Sequence, residues 1–237
     1  MGVEEGVSGR LYGIGVGPGD PELVTLKAAR LLAEVAVIAY PAPTDGESTA
    51  RAIAARFIPA GRTEITIRVP MRPGEVPVEI YDQAAQQIAE HLEQGRDVAV
   101  LCEGDPLFYG SYSYLHERLA ARFPVTVVPG VTSLTACAAA EKRPLVTRDG
   151  VLTIVPATLP DNELAKRLAD CDAAALMKVG RHLPRVKSLL ESLGLISAAT
   201  YVAHATRRDQ VVAPLGDLKT AEAPYFSMIL ISQGAAR

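Results

Sequence analysis

Short apolar runs alternate with helix-like stretches through the first half of the chain, and this alternation constrains the fold more than any other feature. The runs "RLYGIGVG", "VAVIAY", "DVAVLC" and "VTVVPG" are rich in Val and Ile, and a stretch with helical periodicity follows each of them. Repeated strand-helix units of this kind assemble into a parallel sheet with helices on both faces. The first half is therefore predicted to be an α/β domain with an open, mostly parallel sheet.

The helices of this half are predicted from the spacing of apolar residues and from residues that favour helix starts. They cover residues 21–33, 48–57, 77–94, 111–122 and 132–140.

The second half repeats the alternation and then becomes purely strand-like. "VLTIVPA" and "AAALMKV" are predicted strands, with helices over 161–169 and 183–193. The strands around "ATYVAHAT", "QVVAP" and "YFSMILIS" follow one another without a convincing helix, which predicts a mixed sheet with antiparallel edge strands. A proline, a glycine and several charges interrupt the pattern between Lys142 and Gly150. We therefore predict two α/β domains, residues 1–143 and 144–237.

Composition narrows the class of protein. The chain has 237 residues, 49% hydrophobic and 22% charged, which suits a globular protein that buries its own core. No apolar run reaches the roughly 18 residues of a membrane span, and the acidic start "MGVEEGVSGR" is predicted to be a loose tail without a signal-peptide core. The net charge of -3 argues against a nucleic-acid partner. We expect neither a membrane nor a nucleic-acid partner.

The cysteines and histidines predict no disulfide and no metal site. Cys102, Cys137 and Cys171 are scattered, odd in number and lack a CxxC pair, and the four histidines share no metal-ligand spacing. This cysteine usage favours a reducing, cytoplasmic location.

The first strand runs into "GIGVGPGDPE", a glycine-rich turn of the kind that often binds phosphate. The dinucleotide fingerprint fails, because Asp20 stands where its third glycine belongs, and a P-loop fails because the first lysine, Lys27, comes too late. Pro18 and Pro21 lack the N–H donors that an anion needs, and Asp20 adds a negative charge. As a helix start the segment fits well, with Asp20 as the cap and Pro21 at the first position.

Two further turns resemble the first. Gly-Asp-Pro recurs in "CEGDPLFYGS" after the strand "DVAVLC", and "PGVTS" follows "VTVV". Parallel strands end at one edge of their sheet, so the three turns are predicted to line one site. Their acidic and aromatic side chains suit a cationic centre, such as a sulfonium ion, better than a phosphate. These side chains are Asp105, Phe108, Tyr109 and Tyr112.

These motifs resemble the tetrapyrrole methylases, the S-adenosylmethionine-dependent C-methyltransferases of the cobalamin and sirohaem pathways. The resemblance lies in "GIGVGPGDPELVTLKAARLL", "LCEGDPLFYGS" and "VVPGVTS", and continues through "LMKVG", "TYVAHATRRDQ" and "PYFSMILIS". It covers nearly the whole chain, residues 11–232. Within the family, "EGDPLFYGSYSYL", "VPATLPDNEL" and "PYFSMILI" are most similar to members that methylate C-20 of precorrin-2.

The resemblance implies two α/β domains, a homodimer, and S-adenosylmethionine bound in a cleft between the domains, with S-adenosylhomocysteine as product and no metal. Matching motif positions assign cofactor contacts to Pro18, Gly104, Asp105, Phe108, Thr132, Ser133, Met177, Tyr201, Val202, Ala203, Ser227 and Met228. For Met177, Tyr201 and Met228, packing in the core of an apolar strand is an equally good interpretation.

The implied reaction needs little from the protein beyond positioning, since an electron-rich macrocycle supplies the nucleophilic carbon. One proton must leave that carbon, and Asp105, Tyr112 and His204 are the candidate bases. Because precorrin-2 carries many carboxylates, Arg207 and Arg208 are predicted to bind substrate, together with the backbone of Gly17.

Other functions stay open from the sequence. The nearest is another methylase of the same fold, acting at a different ring position, on cobalt-factor II, on diphthine or on ribosomal RNA. A nicotinamide-dependent dehydrogenase would need the fingerprint that fails at Asp20. A non-catalytic ligand-binding protein would not need three aligned glycine turns.

Overall fold

The structure is a computed structural model that describes residues 8–70 and 77–232. The first elements in chain order are β1 (Leu11–Gly15), α1 (Leu26–Glu34), β2 (Val37–Pro43), α2 (Thr49–Ala54), β3 (Thr63–Val69), α3 (Val78–Glu93), β4 (Val98–Cys102), α4 (Tyr112–Leu119) and β5 (Val125–Val128). The later elements are α5 (Ser133–Glu141), β6 (Leu152–Pro156), α6 (Asp161–Leu168), β7 (Ala173–Met177), α7 (Leu183–Ser192), β8 (Ala199–Ala203), β9 (Val211–Pro214) and β10 (Ser227–Ser232).

The first sheet has five strands in the order β3-β2-β4-β1-β5, and every pair is parallel. Residues of α3 and α4 pack on one face, and residues of α1 and α2 pack on the other. The strand β4, "VAVLC", is buried at every position, as expected for a parallel strand that is covered on both faces. The predicted α/β class and the parallel first sheet are confirmed.

The edge strand β3 was not predicted from the sequence. In "TEITIRV" only Ile65 and Ile67 are buried, while the polar or charged Thr63, Glu64, Thr66 and Arg68 are exposed. Exposed charges of this kind are typical of edge strands, which have no neighbour on one side. Because polar residues separate its three apolar ones, β3 does not form the continuous Val- and Ile-rich run that predicted the other strands of this sheet.

The helix predicted over residues 21–33 is two elements. Asp20 accepts a hydrogen bond from the backbone N–H of Glu22 at 2.8 Å and starts a short 3₁₀ turn, Pro21–Leu23. The helix α1 begins only at Leu26, where Thr25 caps it by accepting from the N–H of Ala28 at 3.2 Å. Asp20 is therefore a cap, as predicted, but of the 3₁₀ turn.

The second sheet is mixed, as predicted, with the order β6-β7-β10-β8-β9. The strands β6 and β7 are parallel, and β10 lies antiparallel between β7 and β8. The prediction that the antiparallel strands lie at the edge holds for β9 and is wrong for β8 and β10, which lie inside the sheet. The physical reason is burial, because five of the six residues in "SMILIS" are buried, whereas most of β9 is exposed.

The chain forms two compact units that divide between Thr132 and Ser133. The division falls before α5, because α5 packs against β8 and β10 and Glu141 accepts a hydrogen bond from the Thr200 hydroxyl at 2.8 Å. The domain boundary after Arg143 stays a prediction. Most of the predicted N-terminal tail, residues 1–7, lies outside the described residues.

Candidate active site

The three glycine turns leave the first sheet at the same edge. Turn one (residues 16–20) follows β1, turn two (103–108) follows β4, and turn three (129–132) follows β5. Because β4, β1 and β5 are adjacent and parallel, their carboxyl ends lie side by side. The prediction that these turns lie together is confirmed.

Turns one and two are joined by backbone hydrogen bonds. The N–H of Gly104 donates to the carbonyl of Gly17 at 2.8 Å, and the N–H of Gly17 donates to the carbonyl of Gly104 at 3.3 Å. Both residues have positive φ, 79° at Gly17 and 64° at Gly104, which side chains disfavour. Glycine at these two positions therefore allows the turns to pair.

Turn three meets the other two at glycines as well. A Cβ atom on Gly130 would lie 2.0 Å from the carbonyl oxygen of Gly104, and one on Gly15 would lie 2.6 Å from the nitrogen of Gly130. Both clashes are with backbone, which cannot rotate away as a side chain can. The glycines thus allow the backbones of the three turns to approach one another, which is a packing role.

Asp105 joins turn two to turn three. Its Oδ1 accepts from the N–H of Leu107 at 2.9 Å, and its Oδ2 accepts from the N–H of Gly130 at 3.0 Å. A carboxylate that accepts backbone N–H groups makes strong, charge-assisted hydrogen bonds. The structure therefore gives Asp105 a positioning role, while its predicted contact with a cofactor and its role as a base stay predictions.

Tyr112 lies beneath β1 and is only 1% exposed. A Cβ on Gly13 would lie 2.4 Å from the Tyr112 ring, so the ring occupies the space beside that glycine. Its hydroxyl has no hydrogen-bond partner in the described part of the chain, and burial raises the pKa of Tyr112 to about 12. A phenol that is buried and hard to ionise is poorly suited to act as a base.

Two aromatic side chains lie where turn two ends, with Phe108 as its last residue and Tyr109 directly after it. The rings of Phe108 and Tyr109 meet edge to face with their centres 5.2 Å apart. Tyr109 is 50% exposed and has a φ of 57°, an uncommon backbone conformation for a residue with a side chain. Pro18 in turn one and Thr132 in turn three are also partly exposed. These four side chains are accessible to a ligand at this edge.

A carboxylate that the sequence analysis did not select begins turn two. Glu103 is partly buried, and its Oε1 accepts from the N–H of Ala50, in the first turn of α2, at 3.1 Å. Burial raises the pKa of Glu103, and hydrogen bonds from two backbone N–H groups partly offset this. The sequence signal for it is its place between an apolar strand and Gly-Asp-Pro.

The predicted residues of β7, β8 and β10 lie toward the same end of these three strands, while Ser133 begins α5. Ser227 pairs with Ala203 and Met228 with Val202 in the register of β10 and β8, and Met177 ends the other neighbour of β10. Most of these side chains are buried, with Met177 as the partly exposed member. Their predicted contacts with a cofactor stay predictions.

The turn after β8 contains a paired histidine. His204 Nδ1 lies 2.5 Å from Asp209 Oδ2, and Arg207 Nε lies 3.4 Å from the other oxygen of Asp209. The guanidinium of Arg207 therefore pairs with the carboxylate of Asp209, whereas the side chain of Arg208 is exposed. Of the two arginines predicted to bind substrate, Arg208 is the more accessible.

Residues 8–70 and 77–232 contain neither a candidate membrane span nor a candidate metal cluster. No helix there is long and apolar enough to cross a bilayer. No three His, Cys, Asp or Glu side chains of these residues are grouped so that they could hold a metal ion. The expected absence of a metal stays a prediction.

The chain belongs to the tetrapyrrole (corrin/porphyrin) methylases, a family that matches residues 10–221. It is 42% identical to the precorrin-2 C(20)-methyltransferase of a Sinorhizobium species, over 94% of this chain and 95% of that protein. It is 45% identical to the cobalamin biosynthesis protein CobIJ of Mycobacterium tuberculosis, over 97% of this chain but only 47% of that protein. The chain thus spans about half the length of that relative.

A solved structure has the same fold. It is a uroporphyrin-III C-methyl transferase from Thermus thermophilus, complexed with S-adenyl homocysteine, with a TM-score of 0.70 and 27% identity. The match covers 94% of this chain and 97% of that one.

Proposed function

We propose that the chain is an S-adenosylmethionine-dependent methyltransferase that methylates C-20 of precorrin-2, giving precorrin-3A in cobalamin biosynthesis. The observation that carries this proposal is the 42% identity with a precorrin-2 C(20)-methyltransferase over nearly the whole of both chains. The family match over residues 10–221 supports the reaction class.

The chemistry of the three turns supports the cofactor. Turn one contains the carboxylate of Asp20, and turn two contains those of Glu103 and Asp105. None of the three turns contains a lysine or an arginine. Such a site suits a neutral or cationic ligand and would repel a phosphate. S-adenosylmethionine, when bound, supplies a methyl group on a positively charged sulfonium.

The chain's own contribution is positioning. The bonds between Gly17 and Gly104, and those of Asp105 to turns two and three, hold the edge of the sheet in one arrangement. Correct alignment of the reacting atoms alone can lower a barrier by roughly 7–11 kcal/mol. The macrocycle provides the nucleophilic carbon, so no nucleophilic side chain is needed.

The direct test is to incubate the purified chain with S-adenosylmethionine and a panel of early tetrapyrroles, including metal-free and cobalt-containing precorrin-2. Mass spectrometry would detect the added methyl, and carbon NMR would locate it. Methylation of precorrin-2 at C-20 is expected. Methylation at another position, or only of another substrate, would favour a sibling methylase, and failure to bind S-adenosylmethionine would favour a non-catalytic protein.

Arg208→Ala is expected to raise the KM for precorrin-2 by up to about fivefold and to leave the KM for S-adenosylmethionine unchanged, because exposed ion pairs contribute about 0.2–1 kcal/mol. Arg167→Ala, on the exposed surface of α6, is a matched control that should change neither constant. Steady-state kinetics with each substrate varied in turn provides the measurement. Equal rises in both constants would contradict a role for Arg208 in substrate binding.

We also expect the chain to work as a homodimer in the cytoplasm. The family resemblance suggests the dimer, and the three free, buried cysteines suit a reducing compartment. Light scattering of the purified chain would give the molecular mass in solution, and a mass near 25.1 kDa would contradict the dimer.

A further inference from the structure

We infer that Glu103 is the base that accepts the proton from the methylated carbon, an assignment that rests on the proposed function. Methylation of an unsaturated ring carbon that carries hydrogen leaves one proton to be removed. The acceptor must be a group at the site that can hold a proton, and Glu103 fits this task better than the residues that sequence reasoning selected.

Glu103 lies in the chain at the edge where turns one and two pair, and its carboxylate extends from there to the start of α2. It directly follows the last residue of β4 and directly precedes Gly104, which pairs with Gly17. Its side chain reaches the first turn of α2, just after the connection from β2, where Oε1 accepts from the N–H of Ala50 at 3.1 Å. Since β2 and β4 are neighbours, Glu103 lies between two strand ends of the same edge.

The competing acids of this edge have other roles. Both oxygens of Asp105 accept backbone N–H groups, which hold turns two and three together. Tyr112 is buried and has a pKa of about 12. Glu103 accepts from one other residue, Ala50, in the described residues, so its carboxylate keeps capacity for a proton.

The surroundings of Glu103 suit proton transfer. Burial raises the pKa of its carboxyl, which makes the carboxylate a stronger base, while the N–H groups of Ala50 and of Glu103 itself favour the ionised form. Two titratable residues, Cys102 and Asp105, lie near Glu103 in the chain. Burial and then the charge of Glu103 raise the pKa of Cys102 to about 12, and the charge of Asp105 also raises it. The hydroxyl of Ser48, which caps α2, is also close to this connection.

Methyl transfer comes before loss of the proton. The bond between C-20 and the methyl carbon forms as the bond between sulfur and the methyl carbon breaks, and the sulfur keeps the electron pair of the broken bond. The C-20–H bond then breaks, its electron pair returns to the macrocycle, and the proton passes to the Glu103 carboxylate. S-adenosylhomocysteine and protonated Glu103 result, and water takes the proton after product release.

The test is Glu103→Gln, because glutamine keeps the shape and the acceptor for the Ala50 N–H but cannot take up a proton. We expect kcat to fall about 100-fold or more, the usual effect of losing a general base, with the Kd for S-adenosylmethionine and the KM for precorrin-2 within about twofold of wild type. Wild-type kcat should rise with pH as Glu103 ionises, and this limb should be lost in the variant.

A second readout separates a base from a structural cap. With precorrin-2 deuterated at C-20, Glu103→Gln should show a larger isotope effect on kcat than wild type, because proton removal becomes slow. Glu47→Gln, an exposed residue in the same connection, is the matched control and should behave as wild type.

Two results would overturn the assignment, and they differ from failure of the proposed function. A Glu103→Gln enzyme with more than half of the wild-type kcat would place the base elsewhere. A slow variant with an unchanged isotope effect and an unchanged pH profile would reduce Glu103 to a structural role. If the wild-type chain forms no methylated precorrin-2, the proposed function fails, and the role of Glu103 fails with it.

Discussion

Gly130→Ala is expected to lower the free energy of unfolding by about 3 kcal/mol and to abolish measurable binding of S-adenosylmethionine. The added methyl would lie 2.0 Å from the carbonyl oxygen of Gly104 and 2.9 Å from the Cα of Gly15. Overpacking of this kind costs about 1–3 kcal/mol, and here the obstacle is backbone, so the turns themselves must move apart. Urea unfolding and isothermal titration calorimetry provide the two measurements.

Gly216→Ala is the matched control for this prediction. A Cβ there would meet its nearest neighbour, in the Ile196 side chain, at 3.9 Å, an ordinary contact. We expect unchanged binding and a change in stability within about 0.5 kcal/mol. If Gly130→Ala bound the cofactor with wild-type affinity, the close meeting of the three turns would not matter for binding.

Asp105→Ala is expected to weaken S-adenosylmethionine binding about 30-fold or more. The change removes the acceptor for Leu107 and for Gly130, and hydrogen bonds to a charged group contribute about 1.5–3 kcal/mol each. A net loss of about 2 kcal/mol in the site corresponds to roughly 30-fold in Kd. Calorimetry gives the Kd, and Asp105→Asn should fall between the alanine variant and wild type because its amide keeps one acceptor oxygen.

Asp97→Ala is the matched control for Asp105→Ala. It removes a carboxylate that accepts a backbone N–H but lies away from the three turns. Asp97 accepts from the backbone N–H of Arg10 at 2.7 Å, at the opposite edge of the same sheet. It should cost stability in the same way as Asp105→Ala and leave cofactor affinity unchanged. Equal affinities for Asp105→Ala and wild type would remove Asp105 from the site.

The sequence was sufficient for most of the fold because the parallel strands are buried on both faces. Val98 to Cys102 is apolar at every position, so the strand is visible without any tertiary information. The edge strand β3 alternates buried Ile65 and Ile67 with polar residues, and its signal is weak for that reason. Whether an antiparallel strand lies at an edge or in the interior depends on pairing, which the sequence of β10 does not reveal by itself.

The sequence predicted that the three turns lie together, while the roles of their side chains stay predictions. The position of the turns follows from strand order, and repeated Gly-Asp-Pro made Gly104 and Asp105 visible. The burial of Tyr112 depends on its packing beside Gly13, a contact between residues far apart in the chain. Glu103 was overlooked because nothing in the sequence indicates that its side chain crosses to Ala50.

The hydrogen bonds of Asp105 have a thermodynamic consequence for ligand binding. Turns that are held to one another before a ligand arrives lose little conformational entropy when it binds, and such preorganisation increases affinity without any new contact. Ordering one residue's backbone costs about 1–2 kcal/mol, so even two or three residues fixed in advance are worth a large change in affinity. Binding of S-adenosylmethionine to the wild-type chain should therefore carry a smaller entropic penalty than binding to Asp105→Ala.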